Sequence, residues 1–257
     1  MWRSNPIPKE VRAVVEALEK LPGSAKKMGG AEGLCRAFAA LVDHTLLKPE
    51  ARPDDVRRAC EEAARCAFAA MVVNPCYAAV AAECLKGTKV RVATVAGFPL
   101  GASLTIVKRR EAEKGIEDGA SEIDMVICVG ALRAGEDKLV EDEIRELAKT
   151  CHSRRVILKV ILECALLTDD EKRRGAKLAM RAGADYVKTS TGFGPGGATR
   201  EDVALLRSVV GGELGVKAAG GIRSLADAGS MLAAGASRLG MSSSVSVLDE
   251  LRGRASK

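Results

Sequence analysis

The order of apolar and charged segments predicts an α/β fold, a closed (β/α)8 TIM barrel that carries an N-terminal helical extension. Short apolar runs alternate with charged amphipathic runs eight times, which is typical of parallel strands joined by right-handed helical crossovers. An open doubly wound sheet is the alternative. However, no GxGxxG sequence follows the first predicted strand, as a dinucleotide site on such a sheet would require.

Residues 1–33 stand apart from this alternation and are predicted to form a helical extension and linker, with the barrel domain at residues 34–257. Apolar residues recur at helical spacing over residues 10–20, and the Leu-Pro-Gly sequence at 21–23 would end that helix. We expect the extension either to cover one end of the barrel or to lie at a subunit contact.

The eight predicted strands are short apolar runs, separated from the helices by turns rich in Gly or Asp. In chain order they lie at residues 40–43, 69–73, 91–96, 122–129, 156–162, 186–190, 216–219 and 238–241. The helices between them include residues 105–119, 137–151, 169–182, 224–234 and 245–251. Because active sites of such barrels lie at the carboxyl ends of the strands, the polar residues there are the candidates.

Composition excludes several classes of function. The net charge of +6 is spread along the chain, and no basic run is interleaved with aromatic residues, so nucleic-acid binding is not expected. The excess positive charge suits an anionic ligand such as a phosphorylated metabolite. The eight cysteines form no CxxC pair, and His44 and His152 are the only histidines, which argues against a zinc site.

The apolar segments are too short to cross a bilayer, and the N-terminus lacks the apolar core of a signal peptide. We therefore expect a cytoplasmic protein without a membrane partner.

Lys188 lies in the sixth predicted strand, where glycines follow within a few residues. Burial lowers the pKa of a lysine, a second cation lowers it further, and the neutral amine then attacks carbonyl carbon. The structural interpretation is a lysine that extends to water while its stem packs on apolar neighbours, and this segment alone favours it.

Three further residues shift the balance toward catalysis. Lys159 and Lys217 lie inside the fifth and seventh predicted strands, and Asp124 lies among apolar residues of the fourth. A buried carboxylate must be partnered, and several cations buried together are unfavourable unless function retains them. A purely structural ion pair remains the alternative for Asp124.

Other candidates follow the first, seventh and eighth strands. Asp43 and Thr45 share a side of the first strand and would hold substrate hydroxyls, or Asp43 would form an Asx-type turn. His44 points the other way and is predicted to pack structurally. Two glycine turns, at 220–221 and at 240–243, each precede a predicted helix, and backbone amides at helix starts favour phosphate.

Five segments, taken in order, resemble the deoxyribose-phosphate aldolase family. They are Val-Asp-His-Thr-Leu-Leu-Lys-Pro at 42–49, Glu-Ile-Asp-Met-Val at 122–126, Leu-Lys-Val-Ile-Leu-Glu at 158–163, Asp-Tyr-Val-Lys-Thr-Ser-Thr-Gly at 185–192 and Val-Lys-Ala-Ala-Gly-Gly-Ile-Arg at 216–223. The resemblance runs from about residue 37 to 245 and leaves the extension outside it.

This family consists of class I aldolases, which join acetaldehyde and glyceraldehyde 3-phosphate reversibly into 2-deoxyribose 5-phosphate through a lysine Schiff base. The resemblance implies a small phosphorylated sugar as ligand, no metal and no other cofactor. It also implies a homo-oligomer, either a dimer or a tetramer.

By position in these segments, Lys188 would be the Schiff-base lysine, Lys217 the cation that lowers its pKa, and Asp124 the residue that transfers protons with Lys217 through water. The substrate-binding residues would be Asp43, Thr45, Lys159 and Thr191. The phosphate-binding residues would be Gly192, Gly220, Gly221, Arg223, Gly240, Ser242 and Ser243.

The chain departs from the family pattern at two places. Phe193 stands where bacterial members often carry a lysine, and the chain has no C-terminal tyrosine, which some members use in proton transfer. Two other functions remain open: a metal-free isomerase with Asp124 as acid or base, and a non-catalytic phosphosugar-binding protein. Both forbid a covalent imine, so trapping of an imine distinguishes them from an aldolase.

Overall fold

The computed structural model of the chain describes residues 7–21 and 23–256. Residues 1–6 of the predicted extension, Pro22 at the predicted end of its helix, and Lys257 lie outside the described residues.

Eight parallel strands close into a barrel in chain order, each hydrogen-bonded to the next and the last to the first. The strands are β1 (Val42–Leu46), β2 (Ala70–Val73), β3 (Arg91–Ala96), β4 (Glu122–Val126), β5 (Ile157–Ile161), β6 (Tyr186–Lys188), β7 (Gly215–Ala219) and β8 (Arg238–Met241). The predicted TIM barrel is confirmed, and the open doubly wound sheet is excluded because β1 pairs with β8.

Helices surround this barrel. They are α1 (Lys9–Glu19), α2 (Gly30–Ala39), α3 (Pro53–Cys66), α4 (Ala78–Cys84), α5 (Thr105–Glu117), α6 (Val129–Ala134), α7 (Asp137–His152), α8 (Asp169–Ala182), α9 (Arg200–Val210), α10 (Leu225–Ala234) and α11 (Ser244–Ala255). Short 3-10 turns occupy Gly23–Met28, Pro75–Tyr77 and Cys164–Leu166. No helix in the described ranges is long and apolar enough to cross a membrane.

Some predicted boundaries are wrong for local reasons. The first strand begins at Val42 rather than at residue 40, because the Ala40 amide still bonds to Arg36 and closes α2. The fourth strand ends at Val126, since α6 begins at Val129. Hydropathy does not locate the start of β1 or the end of β4, because the adjoining ends of α2 and α6 are apolar as well.

The core has two parts of unequal size. The main part lies between the barrel and the helices and includes Val11, Val14 and Val15 of α1, so the extension shares one core with the barrel. A smaller part lies inside the barrel, where β2 and β3 contribute small apolar side chains: Ala70, Val72, Ala93 and Val95. One half of the barrel interior is therefore apolar.

Candidate active site

Charged side chains occupy the other half of the barrel interior. Alternate residues of a strand face the same side of the sheet, so Glu122 and Asp124 of β4 both point inward. We refer to the following buried residues as the interior cluster: Asp43 of β1, Glu122 and Asp124 of β4, Lys159 of β5, Lys188 of β6, Lys217 of β7 and Arg238 of β8. Each is at most 7% exposed, so each charge needs a close partner of opposite charge.

Asp124 is the centre of the cluster. Its Oδ1 accepts a hydrogen bond from Lys159 Nζ at 2.7 Å. Its Oδ2 accepts bonds from Lys188 Nζ at 2.8 Å and Lys217 Nζ at 2.7 Å. Strand register brings these groups together, since Asp124 lies opposite Lys159 across β4 and β5, and Lys188 lies opposite Lys217 across β6 and β7.

A second set of contacts lies on the far side of Lys159 and Lys217. Lys217 Nζ donates to Asp43 Oδ2 at 2.5 Å, and Arg238 Nη1 donates to Asp43 Oδ1 at 2.7 Å. Lys159 Nζ lies 2.5 Å from Glu122 Oε2. The three strand lysines therefore differ in their surroundings, because Lys188 contacts one carboxylate whereas Lys159 and Lys217 contact two or more.

The pKa of Lys188 follows from these surroundings. Burial lowers it to about 8, the Asp124 carboxylate opposes that shift, and the Lys217 ammonium adds to it. The centre of the Phe98 ring lies 6.0 Å from Lys188 Nζ. Burial is therefore the main cause of the lowered Lys188 pKa, and Lys217 is a lesser one.

The pKa shifts of Asp124 and Lys159 favour their charged forms. Burial alone would raise the pKa of Asp124, but Lys159, Lys188 and Lys217 hold it well below its ordinary value. Burial alone would lower the pKa of Lys159, but Asp124, Glu122 and Asp43 raise it above its ordinary value. Lys188 is thus the member suited to lose its proton near neutral pH and act as a nucleophile.

A cavity of about 350 Å³ opens above Lys188 at the carboxyl ends of the strands. Of the residues predicted to form the site, the following line it: Thr45, Lys188, Thr191, Gly192, Gly220, Gly221, Arg223, Gly240 and Ser242. A larger cavity of about 940 Å³ lies at the other end of the barrel beside α1 and reaches Tyr186 and Arg238, away from the Lys188 amine.

The remaining predicted site residues do not line the cavity above Lys188. Asp43, Asp124, Lys159 and Lys217 lie beneath it in the interior cluster, and Ser243 lies beside it at the start of α11. The Asx-type turn considered for Asp43 is wrong, because its carboxylate binds Lys217 and Arg238 instead. His44 packs structurally as predicted, stacked on Phe68 and bonded to Ser244.

The two predicted helix starts differ in how open they are. At α10, Asp227 already accepts bonds from the amides of Arg223 and Ser224, and Glu250 accepts from Leu225. At α11, Ser243 is the N-cap, no side chain caps the helix, and no acidic residue lies in the first turn. An anion in the cavity would therefore meet free helix amides at α11 and not at α10.

Glycines bring three loops together at the cavity. Gly220 has φ +86°, and an added Cβ would lie 3.3 Å from the Cα of Gly192, so the loops after β6 and β7 pass too close for a side chain. At Gly240 an added Cβ would lie 3.0 Å from Lys217 Cε. Gly240 thus makes room for the Lys217 side chain in addition to bordering the cavity.

Sequence reasoning did not assign Lys48 to the site. It lines the cavity after β1 and is exposed, and no ion pair of its side chain occurs in the described part of the chain. Together with Arg223 it supplies positive charge at the rim, where Phe193 packs edge-on against Phe98 with ring centroids 5.4 Å apart. The sequence feature that could have identified Lys48 is its position in the segment at 42–49, directly after the first strand.

Glu163 was also missed. It follows β5 with a left-handed backbone (φ +59°), is 4% exposed, and accepts hydrogen bonds from the Thr191 hydroxyl and from the Thr191 amide at 3.2 Å. An added Cβ at Gly194 would lie 2.9 Å from its carboxyl carbon. Glu163 therefore holds the loop after β6, which lines the cavity beside Lys188.

The described residues contain no group of three or more His, Cys, Asp or Glu side chains placed to hold a metal ion. Neither Tyr77 nor Tyr186 lines the cavity above Lys188.

Residues 37–247 match the DeoC/LacD family aldolase. The chain is 53% identical over 212 residues to a deoxyribose-phosphate aldolase of Geobacillus sp. (strain WCH70), covering 82% of this chain and 95% of that protein. It is 50% identical over 214 residues to a deoxyribose-phosphate aldolase of Caldanaerobacter subterraneus subsp. tengcongensis, covering 83% and 93%.

Among solved structures, the chain is similar to the deoxyribose phosphate aldolase from Aeropyrum pernix, whose structure is described as a unique tetramer. The two share 32% identity and a TM-score of 0.82, with 98% of each chain covered. The likeness includes the extension, which lies outside the family match.

The contact between Glu163 and Gly194 predicts that substitutions at these two positions have non-additive effects on the free energy of unfolding. Gly194→Ala forces a Cβ against the Glu163 carboxyl group and should lower the free energy of unfolding by about 1–3 kcal/mol. In a Glu163→Ala background the obstacle is gone, so the same glycine substitution should cost markedly less, with a coupling on the order of 1 kcal/mol. Denaturant unfolding of the four proteins measures both values. Additive losses would show that Glu163 does not restrict this loop.

Proposed function

Because the chain belongs to the DeoC/LacD family of aldolases, we propose that it reversibly cleaves 2-deoxy-D-ribose 5-phosphate into acetaldehyde and D-glyceraldehyde 3-phosphate through a Schiff base on Lys188. The observation that carries the proposal is the buried Lys188 amine, which borders the cavity on one side and contacts Asp124 at 2.8 Å on the other.

In the first step the neutral Lys188 amine adds to the C1 aldehyde of the open-chain sugar. Loss of water from the carbinolamine then gives an iminium ion. The buried Asp124 carboxylate stabilises this cation, because it already accepts a hydrogen bond from Lys188 Nζ.

Carbon–carbon cleavage follows. A base removes the proton of the C3 hydroxyl, the C2–C3 bond breaks, and its electron pair moves into the iminium to give an enamine and glyceraldehyde 3-phosphate. Protonation of the enamine carbon and addition of water then release acetaldehyde and return the Lys188 amine. Asp124 and Lys217, in contact at 2.7 Å, are the pair we assign to these proton transfers.

The phosphate is proposed to lie at the open start of α11, beside the glycines of the loops after β6, β7 and β8. Ser242 and Ser243 add hydroxyl donors there, and Lys48 and Arg223 add positive charge at the rim. The helix start contributes about 0.3–1 kcal/mol toward an anion, so the two cations are needed for discrimination between phosphorylated and unphosphorylated sugars.

The covalent step predicts a specific adduct. Incubation with acetaldehyde and a borohydride should add an ethyl group to Lys188, and mass spectrometry of peptides locates it. The trapping rate should rise as pH increases through about 8, because only the neutral amine attacks and the pKa of Lys188 lies there. Unmodified Lys188, or labelling confined to Lys159 or Lys217, would contradict the mechanism and would leave an isomerase or a binding protein as the function.

The phosphate site predicts a change in substrate preference. Lys48→Gln and Arg223→Gln should each lower kcat/KM for 2-deoxyribose 5-phosphate on the order of tenfold, with much less effect on 2-deoxyribose, because each removes a cation facing the phosphate. Lys89→Gln is the matched control, since Lys89 is equally exposed but precedes β3 at the opposite end of the barrel. An equal loss on both substrates would show that these cations do not hold the phosphate.

We also propose that the protein is a homo-oligomer, as the Aeropyrum pernix relative is described. Leu100 and Leu104 are 77% and 73% exposed and lie with the half-exposed Ile106 and Val107 on one short segment, which is an apolar surface of the kind that subunit contacts cover. Sedimentation equilibrium should give a mass that is a multiple of 27.0 kDa, and Leu100→Lys with Leu104→Lys should lower it. A single-chain mass for the unaltered protein would refute the proposal.

A further inference from the structure

The charges of the interior cluster balance only when Lys188 is neutral. Its carboxylates are Asp43, Glu122 and Asp124. Its cations other than Lys188 are Lys159, Lys217 and Arg238. Three positive charges then face three negative charges among side chains that are at most 7% exposed. A proton on Lys188 would leave one net positive charge buried, which is unfavourable.

Two members of the cluster hold this balance without touching the cavity. Glu122 lies 2.5 Å from Lys159 and 3.6 Å from Arg238, and Arg238 donates to Asp43 at 2.7 Å. Neither residue lines the cavity above Lys188. Both lie nearer the amino-terminal ends of the strands than Lys188, since Glu122 and Arg238 are the first residues of β4 and β8.

We propose that Glu122 and Arg238 are positioning residues that set the net charge of the interior cluster and thereby select Lys188 as the lysine that gives up its proton. The inference rests on the proposed function, in which the neutral Lys188 amine forms the Schiff base. It adds two residues that act through Lys159 and Asp43 rather than through contact with the sugar.

The selection follows from how carboxylates are shared among the lysines. Glu122 gives Lys159 a second close carboxylate besides Asp124, so Lys159 retains its proton. Arg238 takes one oxygen of Asp43 and leaves the other to Lys217. Lys188 has the single contact with Asp124, an oxygen that it shares with Lys217, and therefore holds its proton least tightly.

Every element packed around Lys188 contributes to its environment. The charged groups that face it directly are Asp124 of β4, Lys159 of β5 and Lys217 of β7. One contact further away are Asp43 of β1, Glu122 of β4 and Arg238 of β8. β2 and β3 contribute apolar side chains inside the barrel, Phe98 contributes its ring, and Lys48 and Arg223 stand at the cavity rim.

Opposite charge changes should move the Lys188 titration in opposite directions. Glu122→Gln leaves the cluster with one excess positive charge, so protonation of Lys188 becomes harder and the pH midpoint for imine formation falls. Arg238→Gln leaves one excess negative charge, so that midpoint rises. A separation on the order of 10 Å and an effective dielectric constant of about 20 give a shift of about one pH unit.

The measurement is the rate of acetaldehyde trapping on Lys188 across a pH series, at a temperature where circular dichroism shows each protein to be folded. Glu122→Gln with Arg238→Gln restores the balance, so the double variant should return close to the unaltered midpoint. Arg91→Gln is the matched control. Arg91 also contacts Glu122, at 3.0 Å, but its side chain is 51% exposed, so water screens the change and the midpoint should stay near that of the unaltered protein.

Charge-conserving variants separate charge from shape. Glu122→Asp and Arg238→Lys disturb the contacts but keep the charges, so their midpoints should stay near that of the unaltered protein. If Glu122→Gln or Arg238→Gln does not fold, the other neutral variant is compared with the charge-conserving variant at its own position. That comparison still tests whether charge sets the pH midpoint for imine formation. Midpoints that stay fixed, or that move in one direction for both neutral variants, would overturn the inference while leaving the Schiff base intact. Failure of the unaltered protein to form any adduct would instead refute the proposed function.

Discussion

The Asp124 carboxylate, surrounded by three lysine ammonium groups, is the interaction on which the rest of the site depends. Its two oxygens accept hydrogen bonds from Lys159, Lys188 and Lys217, so its negative charge stabilises these buried cations. Removal of either partner from a buried ion pair leaves an uncompensated charge, so the cluster persists only as a set. Within this set Lys188 contacts the fewest carboxylates, which is why the Schiff base is proposed there.

The closed barrel brings the charged side chains together and surrounds them with apolar residues. Closure of the sheet brings β1 next to β8, which joins Asp43 to the side chains of β7 and β8. The small apolar residues of β2 and β3 fill the opposite half of the interior and keep water away. Burial in this environment lowers the pKa of Lys188, whereas the same lysine at an open strand end would extend its amine to water.

The cavity above the cluster divides into regions with different chemistry. Lys188 forms its floor, the open amino terminus of α11 and the glycine loops form one wall, and Phe193, which packs against Phe98, forms an apolar part of the rim. Glu163 fixes the loop between these regions through Thr191. The proposed substrate, a phosphorylated sugar, would extend from the Lys188 amine at the floor to the start of α11.

The sequence by itself determined the alternation of strands and helices, the strand lysines and the glycine turns, because periodicity and turn chemistry are local properties. It did not reveal that the start of α10 is closed by Asp227, that Asp43 lies beneath the cavity, or that Lys48 and Glu163 belong to the site. These features depend on contacts between residues distant in the chain; Asp124 and Lys217, for example, are 93 positions apart. The tertiary structure alone decided that the pKa of Lys188 is lowered, because the shift depends on its burial and on the charged groups that surround its amine.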